Sequence, residues 1–115
     1  MMVAHSLPDP FFGPAQNMHG ATYITDVTFY SKELNEHNVV VDIGIAQHWL
    51  NEVLSILQYK NLDEMPQFKG HLTTTEFLAR YVHDQMKGKL NSSFKGCISV
   101  TLGESHLAWA SYSGE

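Results

Sequence analysis

Asn17-Met18-His19-Gly20-Ala21-Thr22-Tyr23-Ile24-Thr25-Asp26-Val27-Thr28-Phe29 is the stretch on which the fold turns. From Ala21 to Tyr30 it is rich in Thr, Tyr, Val, Ile and Phe, the residues that suit a pleated, half-buried surface. Its alternation puts Tyr23, Val27 and Phe29 on one face, so the spacing predicts a long strand with a histidine and a glycine at its mouth. Upstream, Met1-Met2-Val3-Ala4-His5 reads as a second strand with no polar lead-in. The segment between them, Pro8-Asp9-Pro10-Phe11-Phe12-Gly13-Pro14, holds three prolines and a glycine and reads as a loop.

Downstream, Ser31 to Asn38 is polar and ends the strand, and Val39-Val40-Val41 is a short apolar extension. Asp42 is a suitable N-cap. Behind it, Ala46, Trp49, Leu50, Val53, Leu54 and Leu57 recur at the spacing of one helical face. Gln58 to Leu72 is a connector with Pro66 and Gly70. Thr73-Thr74-Thr75-Glu76 then offers Thr73 and Glu76 as a capping box for a second helix carrying Phe77, Leu78, Tyr81, Val82 and Met86, with Gly88 placed to end it. Cys97 to Leu102 and Leu107 to Tyr112 read as a strand pair joined around Gly103-Glu104-Ser105-His106. Strands and helices are grouped rather than alternating. The expected architecture is therefore α+β: an antiparallel four-stranded sheet with two helices on one face, in the order ββααββ.

The 115 residues, 43% of them apolar, suit one domain over 1–115. A net charge of −5 and the lack of any Lys/Arg cluster argue against nucleic acid or an anionic membrane surface, which require a basic patch. No apolar run approaches the roughly 20 residues needed to span a bilayer, and the expected location is cytoplasmic. Cys97 is the one cysteine, which fits a reducing compartment, and its apolar surroundings predict a packed, buried thiol. The open edges of a four-stranded sheet favour assembly with further copies.

Seven histidines invite a metal reading. His37, His48 and His83 fall in a polar turn or off the helical stripes and read as solvated. His5, His19, His71 and His106 lie at strand ends or in loops beside them, where they can converge. No local pair has metal-ligand spacing by itself, and a catalytic zinc needs three protein ligands.

Ala4-His5, His19-Gly20, Leu57-Gln58-Tyr59-Lys60-Asn61-Leu62-Asp63, Thr73-Thr74-Thr75-Glu76 and Glu104-Ser105 together resemble the 6-pyruvoyltetrahydropterin synthase and 6-carboxytetrahydropterin synthase family, over nearly the whole chain. The resemblance implies the T-fold (tunnelling fold), a pterin-binding domain over 1–115, and a homohexamer built from two trimers. It implies a zinc held by histidines, with His5 and His19 at two ligand positions. It also implies a pterin held by Thr73, Thr74, Thr75, Glu76 and Glu104, the Glu104 carboxylate taking the ligand's amino and ring N–H donors.

The chain departs from that pattern at its chemical letters. The third zinc position is Ala21, the catalytic cysteine positions are Gly13 and Ala15, and an Asp-His proton relay is replaced by Gln58 and Tyr59. His71 and His106 lie outside the pattern and stand as replacement catalytic groups, since imidazole titrates near neutrality. His71, in a Gly70-containing connector, is also the expected third metal ligand. Two readings follow: a divergent lyase acting on the side chain of a reduced pterin such as dihydroneopterin or its triphosphate, or a non-catalytic pterin-binding sensor or regulatory protein.

Overall fold

The computed structural model describes residues 1–90 and 94–114. In chain order they form β1 (Met2–His5), β2 (His19–Thr22), β3 (Ile24–Tyr30), α1 (Ile43–Leu57), β4 (Lys60–Asn61), α2 (Thr75–Leu90), β5 (Cys97–Ser105) and β6 (Ala108–Gly114), with short 3₁₀ segments at Pro10–Gln16, Leu62–Glu64 and Pro66–Phe68. No helix among the described residues is long and apolar enough to cross a membrane.

The long strand forms, but it is interrupted at Tyr23. Its first part, β2, pairs antiparallel with β1, and its second part, β3, pairs antiparallel with β5. The four-stranded sheet in ββααββ order expected from the sequence is thus two three-stranded sheets, β2-β1-β4 and β3-β5-β6. The exchange of partners falls at Tyr23, where the Met1 carbonyl accepts the Tyr23 N–H at 2.7 Å and the Met1 ammonium donates to the Tyr23 carbonyl at 2.9 Å, and from Ile24 onward the strand pairs with β5, starting opposite Gly103. Beyond that point β5 provides the partner. The other edge of β1 takes β4, which runs parallel to it and pairs Val3 with Lys60 and Ala4 with Asn61.

The connector after α1 is locked to β1 at the two positions where the family pattern has its proton relay. Gln58 Oε1 accepts the Met2 N–H at 2.9 Å, and the Tyr59 N–H donates to the Met2 carbonyl at 2.7 Å. Tyr59 holds φ at 60° to make this turn, an uncommon conformation for a side-chain-bearing residue, and its ring is exposed.

Both helices form where the periodicity places them. Asp42 caps α1 by accepting the Ile45 N–H at 3.0 Å, and Val53 and Leu57 lie at the centre of its buried stripe. At α2 the cap is one residue later than the sequence suggests: Thr74 Oγ1 accepts the Phe77 N–H at 3.1 Å. Thr73 is therefore released from capping, and the Thr73–Glu76 box does not form. Gly88 does not end α2 either, because the helix runs on to bury Leu90. Burying a leucine gains about 1.5–3 kcal/mol, more than the roughly 1 kcal/mol that an interior glycine costs.

α2 packs on β5 and β6, and α1 packs on α2. The core joins Val3 and Tyr23 from the long-strand region to Leu57, Leu78, Met86, Val100 and Leu102. Two sequence expectations are reversed here. His83 is 2% exposed rather than solvated, because it shares the buried side of α2 with Ala79, Met86 and Leu90. Its Nε2 accepts the Gly114 N–H at 3.1 Å, which leaves Nδ1 as the donor to Asp84 Oδ1, also at 3.1 Å. Cys97 is exposed rather than packed: it begins β5, and alternation turns Ile98 inward instead.

The cap assignment is directly testable. Thr74→Ala should lower unfolding stability by about 1 kcal/mol, whereas Glu76→Ala should leave the cap contribution intact. Denaturant unfolding that ranks the two variants the other way would restore the Thr73–Glu76 box.

Candidate functional site

Register places the two family-pattern histidines side by side. In the antiparallel β1–β2 pair His5 stands opposite His19, and their rings lie 4.6 Å apart between centroids at a tilt of 59°. His5 is 1% exposed, and its Nδ1 shares a 2.9 Å hydrogen bond with Thr73 Oγ1, the hydroxyl freed from capping. Its Nε2 is buried without a hydrogen-bond partner. His19 donates from Nδ1 to the Asn17 carbonyl at 2.8 Å.

Burial pushes the His5 pKa below its ordinary value and His19 adds to the shift, while Asp63, the Thr73 hydrogen bond and Glu104 oppose it. The ring is therefore neutral at pH 7, the form that ligates metals. Asp63 itself is fixed, accepting from the Ser6 N–H at 3.1 Å and from Ser6 Oγ at 2.5 Å.

Two imidazoles suit a zinc ion in kind but fall short in number. Ala21 contributes no donor atom. His71 is exposed and stacked on Phe77, with ring centroids 5.1 Å apart and planes 30° from parallel. Among the described residues no group of three or more His, Cys, Asp or Glu side chains is placed to hold a metal. The donor set of one chain does not fit a three-ligand zinc.

The second half of the site lies where the N-terminus of α2 faces the β5–β6 turn. β5 carries an extra residue there: Gly103 pairs with Trp109 and Ser105 with Ala108, which leaves Glu104 unpaired at a bulge. Bulges re-aim side chains, and Glu104 borders two cavities. The smaller, ≈ 330 Å³, is lined by Thr75, Glu76, Glu104, Leu107, Ala108 and Trp109. The larger, ≈ 530 Å³, is bordered by Glu104, Ser105 and His106 together with Ile24, Asp26 and Trp109.

The structure thus brings together Thr75, Glu76 and Glu104, and sets His106 beside Glu104. Thr73 and Thr74 are occupied with His5 and with the helix cap, and His71 lines neither cavity. A cavity of ≈ 740 Å³ at the far end of β3 and β5, bordered by Lys32, Lys95 and Cys97, is larger. None of Thr75, Glu76, Glu104 or His106 borders it.

Tyr23 is the site residue that the sequence does not announce. It directly precedes Ile24, which pairs with Gly103 next to Glu104; burial raises its pKa, Thr75 opposes the rise, and Glu104 and Glu76 add to it. The only signal in the sequence is a polar-tipped ring at an inward position of the strand.

These features define an α+β domain with a carboxylate-flanked cavity between a helix N-terminus and a strand turn. The chain belongs to the 6-pyruvoyl tetrahydropterin synthase family, whose profile matches residues 1–115. It is 31% identical over 77 residues to the 6-pyruvoyl tetrahydrobiopterin synthase of Dictyostelium discoideum, an alignment spanning 65% of this chain and 57% of that relative. Its fold matches that of Caenorhabditis elegans 6-pyruvoyl tetrahydropterin synthase with a TM-score of 0.86, covering 100% of this chain and 90% of the other at 23% identity.

The metal geometry leads to a measurable outcome. Protein prepared with zinc supplied and then dialysed should hold less than one zinc per chain, unchanged by His71→Ala. One zinc per chain that disappears in His71→Ala would make His71 the third ligand after all.

Proposed function

We propose that the chain binds a reduced pterin and acts as a lyase on its side chain, with dihydroneopterin or its triphosphate as the substrate class. The observation that carries this reading is the ≈ 330 Å³ cavity in which Glu104 and Glu76 stand with Thr75. A planar ligand edge with parallel N–H donors calls for a carboxylate with two acceptor oxygens, and the bulge aims Glu104 there. Glu76, in the first turn of α2, also lies where the helix dipole favours negative charge. His106 beside Glu104 is the acid–base group of this proposal, imidazole being the side chain most often used for general acid–base catalysis. Zinc, if held, has His5 and His19 as two of its ligands.

The second reading is a pterin-binding sensor or regulatory protein without turnover, and a specific observation favours it. At the relay positions, Gln58 is engaged with the β1 backbone and the Tyr59 ring faces solvent. Turnover of dihydroneopterin triphosphate by purified protein, followed by product analysis, separates the two.

With the exposed walls covered in the assembly, Glu104→Gln should weaken pterin binding by on the order of 2–5 kcal/mol, because it leaves ligand donors facing the wrong group. Unchanged affinity by titration calorimetry would make Glu104 a solvated turn residue.

Assembly belongs to the same proposal. Ile24, Leu107 and Trp109 are large exposed apolar residues around the cavities, and β3 and β6 are the outer strands of their sheet. Pairing of such edges with further copies, as a homohexamer of two trimers, covers them and completes the walls of the cavities. Light scattering on the eluting peak should give a mass of several chains, and a monodisperse monomer at micromolar concentration would sink the proposal.

A further inference from the structure

Tyr23 is 1% exposed, and its hydroxyl has no hydrogen-bond partner of ordinary geometry. A phenol in this state has given up water without a replacement, so phenylalanine of the same shape would serve the core better. The ring explains itself by packing in the main core cluster; the hydroxyl does not. Ile24 pairs with Gly103, so Tyr23 enters beside the bulge that carries Glu104; the Thr75 hydroxyl approaches the phenol short of ordinary hydrogen-bond geometry, and Glu104 and Glu76 act on it through their charge. Thr75, Glu104 and Glu76 all line the ≈ 330 Å³ cavity. Tyr23 is therefore a buried, unpartnered donor set directly behind the wall of the ligand site.

We propose that Tyr23 is a positioning residue of that site: its O–H donates to Thr75 Oγ1 when the cavity is occupied, and so turns the Thr75 proton toward the ligand. This deepens the pterin-site reading above and rests on it. A threonine hydroxyl has one proton and two lone pairs. Accepting from Tyr23 fixes one lone pair inward, which leaves the proton free to point outward. Glu104, when ionised, can only accept. The cavity then presents a donor and an acceptor side by side. That pairing selects a heterocycle edge with a ring oxo group next to N–H donors, and disfavours the analogue in which an amino group replaces the oxo group. The Thr75 proton would meet no acceptor there.

The test compares pterin with 2,4-diaminopteridine by titration on wild-type protein, Tyr23→Phe and Thr75→Val, together with thermal unfolding of each protein without ligand. Wild type should prefer pterin by about tenfold or more, the usual effect of leaving a buried donor unpaired. Tyr23→Phe and Thr75→Val should both bring that ratio towards one. Tyr23→Phe should unfold at the same or a higher temperature than wild type, since it removes an unpartnered hydroxyl. A merely structural tyrosine would leave the ratio unchanged. If wild type binds pterin and Tyr23→Phe keeps the preference, this inference falls while the pterin reading stands. If wild type binds neither compound, the pterin reading falls and takes this one with it. A marked drop in the unfolding temperature of Tyr23→Phe would show that the hydroxyl is already partnered in the resting protein and overturn the proposal.

Discussion

The register between Met2–His5 and His19–Thr22 is the constraint on which the rest of the site depends. Side chains alternate with period two, so a slip of one residue would turn Val3 and His5 away from the core and send their exposed neighbours inward. Two things oppose that slip. Val3 is part of the main apolar cluster, and the Met2 backbone is held on both its polar groups by the residues after α1, through Gln58 Oε1 and the Tyr59 N–H. Once the register is set, His5 and His19 must be neighbours and Tyr23 must point inward.

A second consequence passes through Thr73. His5 is buried, and a buried imidazole needs a partner for each nitrogen. Thr73 satisfies Nδ1, and this fixes the chain just before α2, so the helix is capped by Thr74 instead. The helix start then sets where Thr75 and Glu76 stand, opposite the β5 bulge that carries Glu104. Histidine pair and carboxylate cavity are thus one mechanical unit, joined across Thr73 and Thr74. The opposing influence of Glu104 on the His5 pKa reports the same proximity.

How much of this could be read from the residues follows from what each signal measures. Periodicity located both helices, the alternation of Tyr23, Val27 and Phe29, and the hairpin around Glu104, because each is a local pattern repeated over several residues. It could not place β4, which is two residues long and exists only because β1 has a free edge. Nor could it assign His83, whose burial depends on β6 arriving against α2, although the spacing Ala79, His83, Met86, Leu90 was a legible hint that the buried stripe is wide. Cys97 was misread because an apolar neighbourhood in sequence does not say which face of the strand a given residue takes. At the site, the grouping of Thr75, Glu76 and Glu104 was readable through the family pattern. Tyr23 was not, since an unpartnered atom becomes visible only when its surroundings are known.

The departures from the family pattern carry a last step of argument. If the relay positions had merely decayed, side chains there would be expected to make no consistent contacts. Instead Gln58 binds the Met2 N–H, and the backbone at Tyr59 accepts an uncommon φ to reach the Met2 carbonyl. Such a conformation costs of order 1–3 kcal/mol and persists only where neighbours enforce it. These residues are therefore used to hold β1 in register, and with it His5. A carboxylate in place of Gln58 would accept the same N–H, so the amide is not required for the clamp, and its presence removes a titrating group while preserving the contact. The replacement leaves position 58 without a titrating group, while His106 borders the same ≈ 530 Å³ space as Glu104.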